Sequence, residues 1–394
     1  RGNLHDWLNV TSEVIKYPMA RFILATSFAA PLLSIIGHRN FMLYFWGSSS
    51  GGKTAAMVWA LSVWGHGQDL MMSFNTSAAG LEGKFALMND LLIGINERQV
   101  SGGGREKQEL LERMVYLIEG GKGKTRATPS GLRKTLKWRT IGMASGEEPL
   151  SKEQSMQGVK TRLLEFNTYP VLEINLAKSL YAHAQEMCGL AGPIFVERLT
   201  YEAEHNRKDI KDAYLTLNKI LTEAYPDYFS VHIDSVTLVC IAYYLFRQWL
   251  YQVPKHIAEQ EAIELANYAI KELPTQRQIS DTERAWDLVQ NWIASNRARF
   301  ERLNQKETLT PIYGFEKDNY LCIYPEHLDK ALSDAGFSTD KILREFANKD
   351  MIASEVEGTT GKRRFKILTR HNKARVRVIK INLSPQTELV VTEG

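Results

Sequence analysis

In the first 176 residues, short apolar runs alternate with segments that have helical periodicity. The run Phe41–Trp46 is followed by a Gly/Ser loop and then by a helix-like segment, Ala55–Trp64. Further strand-like runs are Leu70–Phe74, Leu91–Ile95, Thr140–Ala144 and Leu163–Phe166, with helix-like segments at 77–88, 106–119 and 151–160 between them. This alternation predicts an α/β fold in which helices cover both faces of a mostly parallel sheet.

The remainder of the chain loses this alternation. Residues 177–303 read as helices interrupted near Gly189–Pro193 and at three prolines, and a polar linker follows. After the linker, a strand (Leu321–Ile323) and two helices (Pro325–Ala335 and Thr339–Asn348) precede a strand at Met351–Glu355 and a hairpin of Arg363–Thr369 with Ala374–Asn382. This is the winged-helix pattern. The predicted divisions are an N-terminal helical segment (1–39), an α/β core (40–176), a helical lid or bundle (177–303), a linker (304–310), a winged helix (311–383) and a tail (384–394).

Composition narrows the class of protein. With 394 residues, 44% hydrophobic and 24% charged, the chain is long enough for more than one buried core, whereas a formal charge of +4 indicates no partner by itself. Cys188, Cys240 and Cys322 are far apart, which favours a reducing, cytoplasmic location. The most apolar stretch, 18–37, contains Arg21 and Pro31, so we expect a packed helix and no membrane span.

The chain begins with Arg1 and shows no signal-peptide pattern. We therefore expect it to be a piece of a longer protein.

A glycine-rich loop carries the strongest chemical signal. Residues 47–54 fit G-x-x-x-x-G-K-[ST], in which backbone N–H groups and a helix N-terminus hold phosphates, the lysine reaches the phosphates and the hydroxyl binds Mg²⁺. The pattern predicts ATP and Mg²⁺ as cofactors. Its residues are Gly47, Ser48, Ser49, Ser50, Gly51, Gly52, Lys53 and Thr54.

Polar residues at two other strand ends complete the predicted nucleotide site, because ligands of parallel sheets bind at the carboxyl ends of the strands. Asn96 and Glu97 follow the third strand, where P-loop ATPases usually have Asp-Glu; Glu97 would polarise the attacking water. Asn96 brings no charge, so we expect weakened Mg²⁺ binding. Asp90 cannot supply the missing carboxylate, because it precedes the strand and lies at the wrong end of the sheet. Ser145, after the fourth strand, is placed to contact the γ-phosphate or the water.

Arg162 stands just before the fifth strand. In ring-forming P-loop ATPases an arginine there reaches the neighbouring subunit's γ-phosphate and stabilises the transition state. Arg139 and Arg126 are the alternatives for this role.

Two basic segments predict contact with nucleic acid. Residues 122–139 carry seven Lys/Arg and no acid, and residues 362–380 carry nine and no acid. The first segment reads as a hairpin that we expect to emerge beside Ser145, coupled to the nucleotide site and responsible for translocation, while the wing would load or orient DNA. The alternative for the first segment is a solvated basic face, and the alternative for the winged helix is a module that docks another protein. The predicted DNA-binding residues are Lys122, Lys124, Arg126, Lys134, Arg363, Arg364 and Lys366.

In this order, the motifs resemble those of the AAA+ replicative helicases of mobile genetic elements, which are the minichromosome-maintenance-like helicases of staphylococcal cassette chromosomes and related island and phage proteins. The resemblance rests on Gly47–Thr54, Ser62–Gly65, Phe74–Thr76, Leu92–Glu97, Gly121–Arg126, Trp138 through Glu147, Gly158 with Arg162, and the terminal winged helix.

The resemblance implies a hexameric ring that moves along DNA by ATP hydrolysis, 3′→5′, with Lys53, Thr54 and Glu97 in the Mg-ATP roles and Arg162 acting in trans. A primase or polymerase of the same element is an expected partner. Two alternatives share these features: an ATP-dependent initiator or helicase loader, and a nucleotide-gated DNA-binding switch, which Asn96 permits.

Overall fold

The computed structural model describes residues 1–73, 78–96, 104–128, 131–151, 157–168, 170–302, 309–356 and 363–383. These residues fall into two units, Arg1–Gln276 and Arg277–Gly394.

The first unit contains both strands and helices. Its strands are β1 (Phe41–Trp46), β2 (Met71–Ser73), β3 (Leu92–Asn96), β4 (Arg126–Thr128), β5 (Gly131–Arg133), β6 (Ile141–Gly146) and β7 (Leu163–Asn167). Its helices are α1 (Leu4–Val14), α2 (Pro18–Ala29), α3 (Leu33–Ile36), α4 (Lys53–Ser62), α5 (Ala78–Leu87), α6 (Gly104–Gly120), α7 (Gln157–Lys160), α8 (Ile174–Glu186), α9 (Ala191–His205), α10 (Arg207–Ala224), α11 (Ser230–Leu250) and α12 (Lys255–Lys271).

Five parallel strands form the central sheet of this unit, in the order β2-β3-β6-β1-β7. The side chains of β1 alternate between two cores: Phe41, Leu43 and Phe45 pack on one side, and Met42 and Tyr44 on the other. Because both faces are covered, every side chain from Phe41 to Phe45 is buried. The predicted parallel α/β sheet is confirmed.

The helices on one face of the sheet share a single core with the helical region that follows β7. Trp7 of α1 stacks on Trp59 of α4 with ring centroids 5.6 Å apart, and Phe28 of α2 stacks on Phe246 of α11 at 4.7 Å. Among the described residues, Pro18–Ile36 is the one helical stretch apolar and long enough to cross a membrane, and 78% of an 18-residue segment of it is buried inside the protein. Its apolar surface is therefore used in this core.

Strands β4 and β5 pair antiparallel, with Arg126 opposite Arg133, and thus form the hairpin expected for 122–139. The base of the hairpin, Gly121 and Trp138, lies at the amino end of β6, whereas Ser145 lies near its carboxyl end. The expectation that the hairpin emerges beside Ser145 is wrong, because four residues of β6, about 13 Å, separate position 141 from 145.

The second unit combines three helices with a mixed sheet. Helix α13 (Gln276–Ile279) spans the division, and α14 (Asp281–Ser295), α15 (Pro325–Asp334) and α16 (Thr339–Asn348) follow. The strands are β8 (Phe300–Glu301), β9 (Gly314–Lys317), β10 (Tyr320–Ile323), β11 (Glu355–Val356), β12 (Arg363–Arg364), β13 (Ile367–His371) and β14 (Ala374–Asn382). Five of them form a sheet ordered β13-β14-β10-β9-β8, and β11 pairs with β12.

Helix α14 packs in the core of the second unit. Trp286 contacts Phe346 of α16 edge to face at 5.1 Å, and Val289 and Ile293 join the same cluster. The predicted helical region, 177–303, includes this helix, because periodicity identifies a helix but not the partner against which it packs.

The predicted strand and hairpin of the second unit also differ in detail. Ile352 makes an isolated bridge to Ile381, and Glu355 and Val356 pair with Arg364 and Arg363. The run Arg363–Thr369 is therefore divided, and only its second part joins the β13–β14 hairpin. Opposite charges at Glu355 and Arg364 favour this pairing.

Asn40 provides a test of the fold, because this buried side chain, just before β1, joins α6 to the segment that precedes β6. Its amide nitrogen donates to the carbonyls of Ile118 (2.9 Å) and Trp138 (3.3 Å), and its oxygen accepts from the N–H of Thr140 (3.0 Å). Asn40→Ala should lower the free energy of unfolding of the first unit by about 2–4 kcal/mol, since buried polar groups lose their partners. The measurement is urea denaturation.

Asn89→Ala is the matched control. Asn89 also accepts a backbone hydrogen bond, from Arg139 at 2.8 Å, but is exposed, so we expect a loss below about 1 kcal/mol. Equal losses for the two variants would contradict the role of Asn40.

Candidate functional site

The glycine-rich loop joins the carboxyl end of β1 to the first turn of α4. Gly52 precedes the helix with φ +79°, a left-handed conformation that L-residues avoid, and a Cβ there would lie 2.8 Å from the Cβ of Leu172. The Gly51 carbonyl accepts from the N–H of Val171 at 2.7 Å. The loop is thus closely packed and its last position requires glycine.

Lys53 is the first residue of α4 and is 7% exposed. Its Nζ donates to the carbonyls of Gly47 (2.9 Å) and Ser48 (2.7 Å), so the ammonium group lies under the loop. Thr54 follows in the first turn, at the end of the helix where backbone N–H groups and the dipole favour anions. A glycine cradle, a buried ammonium group and a helix N-terminus together fit a phosphate group.

Two neighbouring segments support the loop from either side. The N–H of Thr168, after β7, donates to the carbonyl of Trp46 at 2.7 Å, and the hydroxyl of Thr168 is buried with no partner among the described residues. On the other side, the Ser49 hydroxyl donates to the exposed carboxylate of Glu147, after β6. The loop is therefore flanked by the carboxyl ends of the two strands adjacent to β1.

A half-buried carboxylate holds the segment that carries Glu147. Glu165 of β7 accepts from the N–H of Ser151 at 3.1 Å and from that of Leu150. Burial raises the pKa of Glu165, while the hydrogen bonds from Ser151 and Leu150 oppose this rise. This anchor holds the turn after β6 against the sheet.

The other predicted nucleotide-site residues lie at the same edge as far as the structure describes them. Asn96 is the last residue of β3 and pairs with Ser73 of β2. Ser145 is half-buried and pairs with Phe45 of β1, two residues before Gly47. Glu97 lies outside the described residues. The structure thus places Ser145 and Asn96 at the same edge of the sheet as the loop, and the roles of all three residues remain predictions.

Arg162 lies at the opposite edge of the sheet, since it precedes β7 and its carbonyl accepts from the N–H of Met42 at 3.2 Å. Its guanidinium forms an ion pair with Glu119 at 3.1 Å, donates to the carbonyl of Gly158 at 2.7 Å and lies over the ring of Tyr116. The arginine is 30% exposed.

The backbone before Arg162 is held by two residues from other elements. Arg39 donates to the carbonyl of Thr161 at 3.1 Å, and Nε2 of His232, on α11, lies 2.9 Å from the carbonyl of Lys160. Burial lowers the pKa of His232 to about 4, so the neutral ring donates through Nε2 at pH 7. The arginine is therefore presented by a fixed backbone.

The two alternative arginines are both engaged within the chain. Arg126 makes a two-pronged ion pair with Glu82 of α5 (2.6 and 3.1 Å), whose side chain is 2% exposed. Arg139 binds Asp90 in the same manner at 2.8 and 3.1 Å, and Asp90 lies before β3, at the edge away from the loop.

The predicted DNA-binding residues fall into two groups. Lys122, Lys124 and Lys134 are exposed on the β4–β5 hairpin. By contrast, Arg363 donates to Ser354 (2.8 Å) and Asn348 (2.9 Å), and Lys366 binds Asp329 at 2.7 Å. Arg364 is exposed and pairs with Glu355 through the backbone.

Sequence reasoning did not identify Glu82, Glu147 or Glu165. Glu82 carried a signal: with Ala78, Leu81 and Phe85 it occupies the i, i+3, i+4, i+7 positions of one helix face, so a carboxylate stands on an apolar stripe. No comparable signal marks Glu147 or Glu165, because their partners are distant in sequence.

Comparison with known proteins agrees with this architecture. Residues 1–138 match a family described as "Domain of unknown function (DUF927)", and residues 280–386 match the "Cch helix turn helix domain". A solved structure described as "SCCmec type IV Cch - active helicase" superposes with a TM-score of 0.69 at 16% sequence identity, covering 97% of this chain and 70% of that chain.

The chain has the fold of the Cch helicase. The resemblance inferred from the motifs is thereby confirmed, as are the mixed α/β fold and the helix-turn-helix at the C-terminus. The match to the Cch helix-turn-helix begins at residue 280, next to the start of α14, which agrees with the packing of that helix in the second unit. No curated protein gives a significant match.

The Glu82–Arg126 pair predicts a pH dependence of stability. Hydrogen bonding by Arg126 lowers the pKa of Glu82 below its ordinary value of 4.5. A carboxylate with a depressed pKa stabilises the folded state above the unfolded pKa, and this contribution is lost as the pH falls through the folded pKa. Glu82→Gln should therefore destabilise the first unit at pH 7, and its difference from the wild type should shrink below about pH 4.5.

Urea denaturation across this range is the measurement. Arg126→Ala should lower the free energy of unfolding at pH 7 by at least as much as Glu82→Gln, because it leaves a buried carboxylate unpaired, at a cost of about 3–5 kcal/mol. Asp90→Asn, at the more exposed pair with Arg139, is the matched control and should cost under about 1 kcal/mol. A pH-independent difference for Glu82→Gln would show that its charge is not used.

Proposed function

We propose that this chain is the motor part of an ATP-dependent DNA helicase, an AAA+ P-loop ATPase that acts in replication of a mobile genetic element as a hexameric ring. The observation that carries the proposal is the loop at residues 47–54: a glycine cradle over a buried lysine at the N-terminus of α4, in a chain with the fold of the Cch helicase. That protein is described as an active helicase.

The residues at the carboxyl edge have distinct proposed roles. Lys53 exchanges the carbonyls of Gly47 and Ser48 for phosphate oxygens, and the hydroxyl of Thr54 and the side chain of Asn96 serve Mg²⁺. Glu97 polarises the water, and Ser145 contacts the phosphate end. ATP with Mg²⁺ supplies the phosphoanhydride bond whose hydrolysis drives the motor.

The position of Arg162 supports a shared active site. Five residues of β1, about 16 Å, separate Met42, beside Arg162, from Gly47. An arginine side chain cannot bridge that distance, so Arg162 serves the loop of a neighbouring subunit. In doing so it exchanges Glu119 for the anionic ligand.

The exposed lysines of the β4–β5 hairpin are proposed to contact the DNA backbone during translocation, 3′→5′. The side chains of Lys122, Lys124 and Lys134 make no hydrogen bond or ion pair among the described residues, whereas Arg126 is paired with Glu82. Coupling to the nucleotide passes along β6, whose amino end adjoins the hairpin and whose carboxyl end carries Ser145. The hairpin is thus moved through a rigid strand.

A strand-displacement assay on a forked duplex tests the proposal. The wild type should unwind with ATP and Mg²⁺. Lys53→Ala should lose nucleotide binding, whereas Glu97→Gln should keep binding and lose both turnover and unwinding, because only the charge that polarises water is removed. Lys219→Ala, an exposed lysine on α10, is the matched control and should unwind normally.

The outcomes also separate the alternative functions. DNA-stimulated ATPase activity without unwinding would identify an initiator or loader. Nucleotide-dependent DNA binding without hydrolysis would identify a switch, the alternative that Asn96 permits. Either result would contradict the proposed helicase.

A further inference from the structure

In the second unit, α16 is the helix that would read bases. The lysines on and just after this helix form ion pairs within the unit. Lys341 of α16 binds Asp281 at 3.2 Å, and Lys349, just after the helix, binds Glu283; both acids lie on α14. Each of these two lysines is therefore paired with a carboxylate of the same unit.

The remaining exposed side chains of α16 have mixed charge. Asp340 and Arg344 are exposed, and Asn348 accepts a hydrogen bond from Arg363 through its amide oxygen. Arg363 further donates to the carbonyl of Ala347 at 3.3 Å, at the end of the helix. An acidic residue and a committed asparagine make this surface unsuited to a groove lined by phosphates.

The β13–β14 hairpin has the opposite character. Its register places Arg370 opposite Arg375 and Leu368 opposite Arg377, and all four side chains are exposed. Strand alternation puts them on one face, while the alternate positions Ile367 and Val378 are buried on the other. Among the described residues, the three guanidinium groups have no hydrogen-bond or ion-pair partner.

Like charges directly opposite each other on paired strands are destabilising. Arg370 and Arg375 repel each other in the chain alone, and a polyanion lying across the hairpin would remove this repulsion. Arginine also binds phosphate oxygens in a two-pronged geometry, which suits a backbone contact.

We propose that the second unit binds the phosphate backbone of DNA through this face of the β13–β14 hairpin, with Arg370, Arg375 and Arg377 as the contacts and without entry of α16 into the major groove. Binding by this unit is then largely independent of base sequence. The inference takes its ligand, DNA, from the proposed function but requires neither ATP hydrolysis nor unwinding.

The test is fluorescence anisotropy of the full chain, without nucleotide, on duplexes of equal length and unrelated sequence, over a range of salt. Arg375→Thr/Arg377→Thr should weaken binding by at least about tenfold and reduce the slope of log affinity against log salt by about 1.8, since each phosphate contact contributes about 0.9. The loss should be the same on every duplex.

The matched control removes two charges from α15 and α16 with Lys330→Gln/Arg344→Gln, which should change neither affinity nor slope. Unchanged binding by the hairpin variant, or loss confined to the helix variant, would overturn the proposal. If the wild type prefers one duplex and only Arg344→Gln removes that preference, base readout belongs to α16. If the hairpin binds an acidic protein and not DNA, the proposed ligand is wrong.

Thermal unfolding of each variant shows whether the second unit remains folded. Should the double variant unfold, Arg377→Thr alone should still lower the slope by about 0.9. The binding test contains no nucleotide, so its result does not depend on ATP hydrolysis. A wild type that binds duplexes in this test but fails to unwind them with ATP and Mg²⁺ would contradict the helicase and leave this inference standing.

Discussion

The length of a β-strand is the constraint on which the arrangement of this chain depends. In the first unit, all five strands of the sheet run in parallel, so one edge collects the carboxyl ends and the other the amino ends. The glycine-rich loop, Ser145 and Asn96 lie at the first edge, and Arg162 and the base of the β4–β5 hairpin lie at the second. A rigid sheet about 16 Å long separates the proposed phosphate site from the arginine and the hairpin.

A hydrogen-bonded carboxylate, buried at Glu82 and half-buried at Glu165, holds a segment at each edge of the sheet. Glu82 binds Arg126 and accepts from the backbone of Lys124, which fixes the hairpin to α5. Glu165 performs the equivalent task for the turn that carries Glu147 beside the loop. Burying a charge is costly unless it is hydrogen-bonded, so each anchor stabilises one arrangement of its segment over alternatives.

Local patterns were enough to predict the sheet. The run Phe41–Trp46 is apolar throughout because both of its faces are buried, and the glycine at position 52 follows from a backbone conformation that only glycine adopts freely. What sequence could not supply was the partner of each side chain. Arg126 and Arg363 look like free cations in a basic run, yet their partners, Glu82 and Asn348, are distant or lie on another element.

The same limitation explains α14 and the location of the hairpin. The helical periodicity of 281–295 predicts a helix, but its contact with Phe346 is non-local. The hairpin was assigned to the wrong end of β6 because composition indicates a turn without indicating the direction in which the adjoining strand runs.

The central claim is that the two edges of the sheet serve two different subunits. The measurement that tests it most directly is ATPase activity in mixtures of Arg162→Ala and Lys53→Ala chains, each inactive alone, with formation of mixed assemblies verified independently. The account predicts that mixing restores part of the activity, because an intact Lys53 site then meets an intact Arg162 across an interface. Inactivity at every ratio, with mixed assemblies present, would contradict it.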